Sequence, residues 1–176
     1  MKKAVFIIAP VNFRDEEFRE PKGILEKAGV AVTVASSTID IAKGKLGLTV
    51  KPDILLKDVI AADYDAVVFI GGGGAAVYLD DPQAHRIAQE AQDQNKLLAA
   101  ICVAPAILAR AGVLKGKKAT VFPDDAGELK ANGVVYTGAA VEKDGQIITG
   151  SGPQAAVQFG QALAAALQIE SLREVK

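Results

Sequence analysis

The stretch Leu97-Leu98-Ala99-Ala100-Ile101-Cys102-Val103-Ala104-Pro105-Ala106 decides how this chain folds. Its first five residues are an unbroken apolar run, the pattern of a strand buried on both faces. Cys102 follows at once, and Ala104–Ala111 reads as a helix stopped by Gly112. A strand that gives way to a helix with almost no loop must turn sharply, so Cys102 is expected in a tight strand-to-helix turn. The shape resembles a nucleophile elbow, although no Gly-x-Ser-x-Gly motif is present.

The alternation of short apolar runs and helical patterns continues on both sides, which predicts βαβ units around a mainly parallel sheet. Upstream, strands are expected at Val5–Ala9, Val30–Ala35 and Asp65–Ile70. Helices are expected over Asp15–Ala28, closed by Gly29, and from about Pro82 to Gln94. Residues 36–52 are irregular, with Gly44, Gly47 and Pro52, and leave room for a small hairpin. Downstream, Lys118–Val121 reads as a strand, Ala126–Ala131 as a short helix, and Val134–Tyr136 and Ala140–Glu142 as short strands. Lys143-Asp144-Gly145-Gln146 is a hairpin turn into Ile147–Thr149, since Asp-Gly suits a tight turn. Ser151-Gly152-Pro153 leads into an alanine-rich helix, Ala155–Leu167. With no internal repeat or linker, one α/β domain over residues 1–176 is expected, with helices on both faces of its sheet.

Half of the 176 residues are hydrophobic, enough for one real core. Twenty basic and 21 acidic residues leave a formal net charge of -1, without the basic footprint of a nucleic-acid or acidic-membrane binder. The run Met1–Ala9 ends at Pro10 and meets Arg14-Asp15-Glu16-Glu17, so it reads as a buried strand and not as a signal peptide. No apolar stretch is long enough to cross a bilayer. A single cysteine excludes an internal disulfide and points to a reducing cytoplasm. One cysteine and one histidine make a poor transition-metal site, so no metal is expected. That histidine, His85, reads as a surface or helix-edge residue.

In an open parallel sheet, chemistry gathers outside the carboxyl ends of the strands. Three features sit at such ends: Asp15-Glu16-Glu17, the run Gly71–Gly74, and Cys102. If the strands are neighbours, the three meet on one edge. A thiol at a helix start sees the positive end of the dipole and free N–H groups, which favour thiolate and lower its pKa. The alternative is a small hydrophobe buried at a strand end. The glycine run frees backbone amides to face the site, where one of them, with the amide of Val103, could stabilise an oxyanion. Gly71, Gly73 and Ala76 also fit Gly-x-Gly-x-x-Ala, but no acid lies on Leu97–Ile101 to hold a ribose, so a dinucleotide cofactor is disfavoured. A plain flexible turn is the third reading. Glu16 and Glu17 open a helix, and pattern alone turns both toward solvent.

Leu97–Ala106 resembles the elbow of the ThiJ/PfpI family, within the class I glutamine-amidotransferase-like superfamily. Supporting matches are Glu17 four residues before Pro21, Tyr64-Asp65 leading into Gly71-Gly72, and Ser151-Gly152-Pro153 before the last helix. The similarity spans nearly the whole chain and lies nearest to bacterial relatives of the parkinsonism-associated deglycase clade, which share the Phe-Pro found here at Phe122-Pro123. The resemblance implies a flavodoxin-like sandwich, usually dimeric, with Cys102 as reactive cysteine and Glu17 as its partner carboxyl. It assigns the oxyanion pocket to the amides of Gly72 and Val103, and it brings no cofactor.

Two family histidine positions are apolar here, Val103 and Phe122. Amide cleavage must protonate a poor leaving group, so peptidase activity is not expected. Three readings of function stand. The first is a cysteine-based stress protein whose Cys102 is oxidised to sulfinate and held by protonated Glu17. The second is a glyoxalase or deglycase acting on small reactive carbonyls. The third is a non-catalytic dimeric binding protein.

Overall fold

Alternate residues of the central strands feed two separate cores. Val5, Ile7, Val67, Phe69, Leu98 and Ala100 belong to one cluster, while Ala4, Phe6, Ala66, Val68, Leu97, Ala99 and Ile101 belong to the other. A strand covered on both faces has no side left for polar residues, which is why these runs are continuously apolar.

The computed structural model describes residues 1–174. Its strands are β1 (Lys3–Ile7), β2 (Val11–Phe13), β3 (Ala31–Ser36), β4 (Ala42–Gly44), β5 (Thr49–Val50), β6 (Ile54–Leu55) and β7 (Ala66–Phe69), followed by β8 (Leu97–Ile101), β9 (Lys118–Ala119), β10 (Val135–Tyr136), β11 (Val141–Asp144) and β12 (Ile147–Gly150). The helices are α1 (Asp15–Lys27), α2 (Pro82–Asp93), α3 (Pro105–Arg110), α4 (Ala126–Ala131) and α5 (Ala156–Glu174). The main sheet runs β11-β12-β8-β7-β1-β3-β6, parallel throughout except for the antiparallel edge pair β11–β12. Phe18 and Leu25 of α1 join Phe159 and Leu163 of α5 on one face. Ile87 of α2, Ile107 and Leu108 of α3, and Leu129 of α4 cover the other. This is the expected α/β sandwich with a mainly parallel sheet and helices on both faces.

Local signals set the helix ends. Asp81 caps α2, its carboxylate accepting from the amides of Gln83 (2.7 Å) and Ala84 (3.1 Å), with Pro82 in the first helical turn. After α1 the chain turns through Gly29 at φ 86°. The irregular segment 36–52 holds the expected hairpin, β4 against β5, and β2 adds to it in parallel. Two elements differ from the expected set. Lys118–Val121 contributes only β9, which leaves the main sheet to pair with β10, because the fully buried β12 fills the place beside β8. The edge strand β6 carries too short an apolar run, Ile54-Leu55, to stand out in the sequence.

Helices α1 and α5 approach closely at Gly160. A Cβ there would stand 2.8 Å from Ile24 Cδ1 and 2.9 Å from Pro21 Cα. Gly160→Val is therefore expected to cost about 1–3 kcal/mol through overpacking. Gly23, inside α1 with open space around it, should gain roughly 0.5–1 kcal/mol on change to Ala. Urea unfolding of both variants checks this; equal midpoints would contradict the packing argument.

Candidate active site

The chain passes from β1 to β3 on one side of the sheet, then returns to β7 and β8 on the other side of β1. The carboxyl ends of β1, β7 and β8 thus lie side by side at a topological switch point. Glu17, the glycine run and Cys102 lie there together, because these strands are neighbours.

Cys102 has φ 64°, a left-handed conformation that costs a non-glycine residue about 1–3 kcal/mol. Two backbone bonds fix it. Its amide donates to the Gly150 carbonyl (2.9 Å), and its own carbonyl accepts from the Phe122 amide (2.8 Å). The bare backbone of Gly71 makes the site possible. A Cβ there would collide with the Ile101 carbonyl and would stand 2.6 Å from Glu17 Oε1 and 2.7 Å from Cys102 Cβ. At Gly72 the φ of 97° and the nearness of the Asn12 carbonyl (2.7 Å to a Cβ) also demand glycine.

The three consecutive acids at the start of α1 have three different fates. Asp15 is buried and accepts from the amides of Leu46 (3.0 Å) and Leu48 (2.9 Å), holding the β4–β5 turn. Glu16 is half-buried and pairs with Arg14 at 2.6 Å. Glu17, which the helical pattern turned toward solvent, is 0% exposed. Pro21, inside α1, lacks the N–H that would reach the Glu17 carbonyl in a regular helix.

Neither carboxyl oxygen of Glu17 completes a hydrogen bond among the described residues. Burial pushes its pKa up to about 7, and the nearby Cys102 thiol, Arg14 and the Gly71 amide pull it back only part of the way. Burial also pushes the Cys102 thiol up to about 12, reinforced by the negative charge of Glu17. The amides of Gly72 and Val103 act on the sulfur in the opposite sense and are outweighed. The expected lowering of the thiol pKa is thus reversed. Helix α3 begins only at Pro105 and has six residues, so its dipole is short and set back from a desolvated sulfur. Below neutral pH both groups are uncharged, and above it the pair carries a single negative charge.

A cleft of about 350 Å³ opens over the sulfur, lined by Arg14, Lys45, Gly72, Gly73, Cys102, Val103, Phe122, Asp124, Asp125 and Pro153. Val103 and Phe122 therefore present apolar surface to it. Lys45, Asp124 and Asp125 were not singled out from the sequence. The two aspartates follow the Phe122-Pro123 step that the resemblance had located, whereas Lys45 arrives only through the pairing of its amide with the Phe13 carbonyl (2.9 Å). His85 stands apart from this cleft, half-buried on α2 with Nε2 2.7 Å from the Leu79 carbonyl.

Glu17 titrates near 4.5 unfolded and near 7 in the fold, so the stability it contributes is complete below pH 4.5 and is lost as pH rises through 7. Glu17→Gln removes that dependence. Relative to the parent chain, the variant should gain about 2–3 kcal/mol between pH 5 and pH 8, measured by urea unfolding at each. A gain that shrinks with pH would overturn the assignment.

The model of the DJ-1/PfpI family matches residues 2–166. An uncharacterised protein of Methanocaldococcus jannaschii is 41% identical over 161 residues, covering 90% of this chain and 78% of that protein. A deglycase of Pyrococcus abyssi is 32% identical over 149 residues, covering 85% of this chain and 90% of that enzyme. The crystal structure of a ThiJ/PfpI domain protein from Brachyspira murdochii superposes with a TM-score of 0.91 at 31% identity, over 94% of this chain and 96% of that one. By sequence along nearly its whole length, and by the fold just described, the chain belongs to the DJ-1/PfpI family.

Proposed function

We propose that this protein serves in carbonyl and oxidative stress, with Cys102 adding to small reactive dicarbonyls and Glu17 moving the protons. The observation that carries this reading is the sealed, unpartnered Glu17 carboxyl beside the elbow thiol, with a pKa near 7. A proton carrier works best when its pKa lies near the working pH. Ionised Glu17 takes the thiol proton as sulfur bonds to the aldehyde carbon. The carbonyl π pair becomes an oxyanion, which the amides of Gly72 and Val103 receive. As Glu17 hands the thiol proton to the oxygen of the second carbonyl it is ionised again, and it then takes the proton of the sulfur-bearing carbon and delivers it to the neighbouring carbon, leaving a 2-hydroxyacyl thioester on Cys102. Water releases the hydroxy acid, so in sum one dicarbonyl and one water become one 2-hydroxy acid, and the thiol is restored. The relative named deglycase supports the same class of chemistry. Val103 and Phe122 supply no imidazole, so turnover is slow, by about the 10²–10⁴-fold that one acid–base group is worth.

Oxidation of the same sulfur is a second reading, favoured by the unfilled hydrogen-bonding capacity of Glu17. Its protonated carboxyl can donate to an oxygen placed on sulfur, holding the thiol at the sulfinate stage. The assembly that fits the family resemblance is a homodimer, and the exposed side chains of Val11 in β2, Ile41 just before β4 and Leu46 between β4 and β5 supply apolar surface for a second copy.

Three measurements test these statements. With methylglyoxal, kcat/KM should be low but measurable, abolished by Cys102→Ser and raised by Phe122→His; turnover that survives Cys102→Ser would refute the carbonyl reading. Mild peroxide should add two oxygen atoms to Cys102 and stop there, whereas Glu17→Leu should give mixed products; sulfonate from the parent chain would refute the second reading. Light scattering at micromolar concentration should return twice the 18.3 kDa chain mass.

A further inference from the structure

The chemistry just proposed ends with water attacking a thioester, and Glu17 is poorly placed for that step. It is 0% exposed, and its Oε1 lies close to Gly71 and Cys102, away from solvent. Water must arrive through the open cleft, where Val103 and Phe122 have no side-chain atom able to accept a proton. The cleft does hold two carboxylates, Asp124 and Asp125. We infer that Asp125 is the general base that activates this water, an assignment that rests on the carbonyl reading above.

Asp125 is fixed relative to the sulfur. The Phe122 amide donates to the Cys102 carbonyl (2.8 Å), and the Asp125 amide donates to the Phe122 carbonyl (2.8 Å), so the short turn hangs directly from the elbow. Asp125 is also the residue that precedes α4, where an aspartate ordinarily caps the helix with its side chain. Here it makes no such bond, and its carboxylate pairs with no cation among the described residues, so it remains free to face the cleft. Asp124 is exposed, whereas Asp125 is half-buried. Burial, with Asp124 and Glu128 nearby, holds the Asp125 pKa above the ordinary aspartate value, which strengthens it as a base.

In the step itself, Asp125 takes a proton from water as the water oxygen bonds to the thioester carbonyl carbon. The resulting oxyanion faces the Gly72 and Val103 amides. It collapses as the carbon–sulfur bond breaks, sulfur leaves with the electron pair, and the proton held by Asp125 returns to the Cys102–Glu17 pair through solvent. One water is consumed and nothing is oxidised or reduced.

The test is rapid-quench kinetics with methylglyoxal on the full chain, with hydroxylamine to trap any thioester. Asp125→Asn should acylate Cys102 at the parent rate, accumulate a hydroxylamine-labile adduct and lose about 10²–10⁴-fold in kcat. Asp125→Glu should recover part of that loss. Parental kcat in Asp125→Asn, or loss of acylation together with turnover, would overturn the assignment while leaving the carbonyl reading intact. A parent chain that forms neither product nor adduct would overturn both.

Discussion

Close contact across one glycine governs this site. At Gly71 the end of β7 carries no side chain, and into the space that a Cβ would occupy come Glu17 Oε1 from one side and the Cys102 side chain from the other. The two groups come from the ends of different strands and would be held apart by any larger residue. Their contact places a carboxyl and a thiol together in a region shut off from water. The left-handed backbone at Cys102 is the second half of the same constraint, since it makes the sharp turn between β8 and α3 at a residue that carries a side chain. Hydrogen bonds to Gly150 and Phe122 hold that strained residue in place.

Desolvation dominates the electrostatics that follow. The amides of Gly72 and Val103 favour a charged sulfur, and so does the start of a helix, yet burial together with the Glu17 charge raises the thiol pKa. Burial likewise raises Glu17. A pair in which each member resists charge, and only one is charged at a time, is suited to passing a proton between sulfur and substrate. In the chemistry proposed above, such a thiol becomes reactive when Glu17 accepts its proton.

Carboxylates of similar intrinsic strength are separated by their surroundings. Asp15 is spent on two loop amides and Glu16 on Arg14, whereas Glu17 is sealed beside the thiol with no hydrogen bond completed among the described residues, although the three are consecutive in the chain. Asp125 differs from all three in being neither sealed nor paired. An inner carboxyl in contact with sulfur and an outer one in contact with solvent give the cleft two distinct proton-handling positions, a division that compensates in part for the apolar residues at Val103 and Phe122.

Much of the architecture was legible in the sequence, because burial on both faces of a sheet leaves a continuous apolar run such as Leu97–Ile101, and glycine or proline marks the helix limits, as at Gly29 and Pro82. The elbow position of Cys102 followed from the same local rule. Local patterns are weaker where strands are short: β6 and the β9–β10 pair depend on which places in the sheet are already filled, which is a property of the whole chain. The burial of Glu17 could not be read from helical pattern, since an acid in a first helical turn is equally stable facing water. Only assembly of the β1, β7 and β8 ends decided which of three neighbouring acids would meet the sulfur, and only the resulting desolvation decided that the thiol pKa rises where the helix start alone would have lowered it.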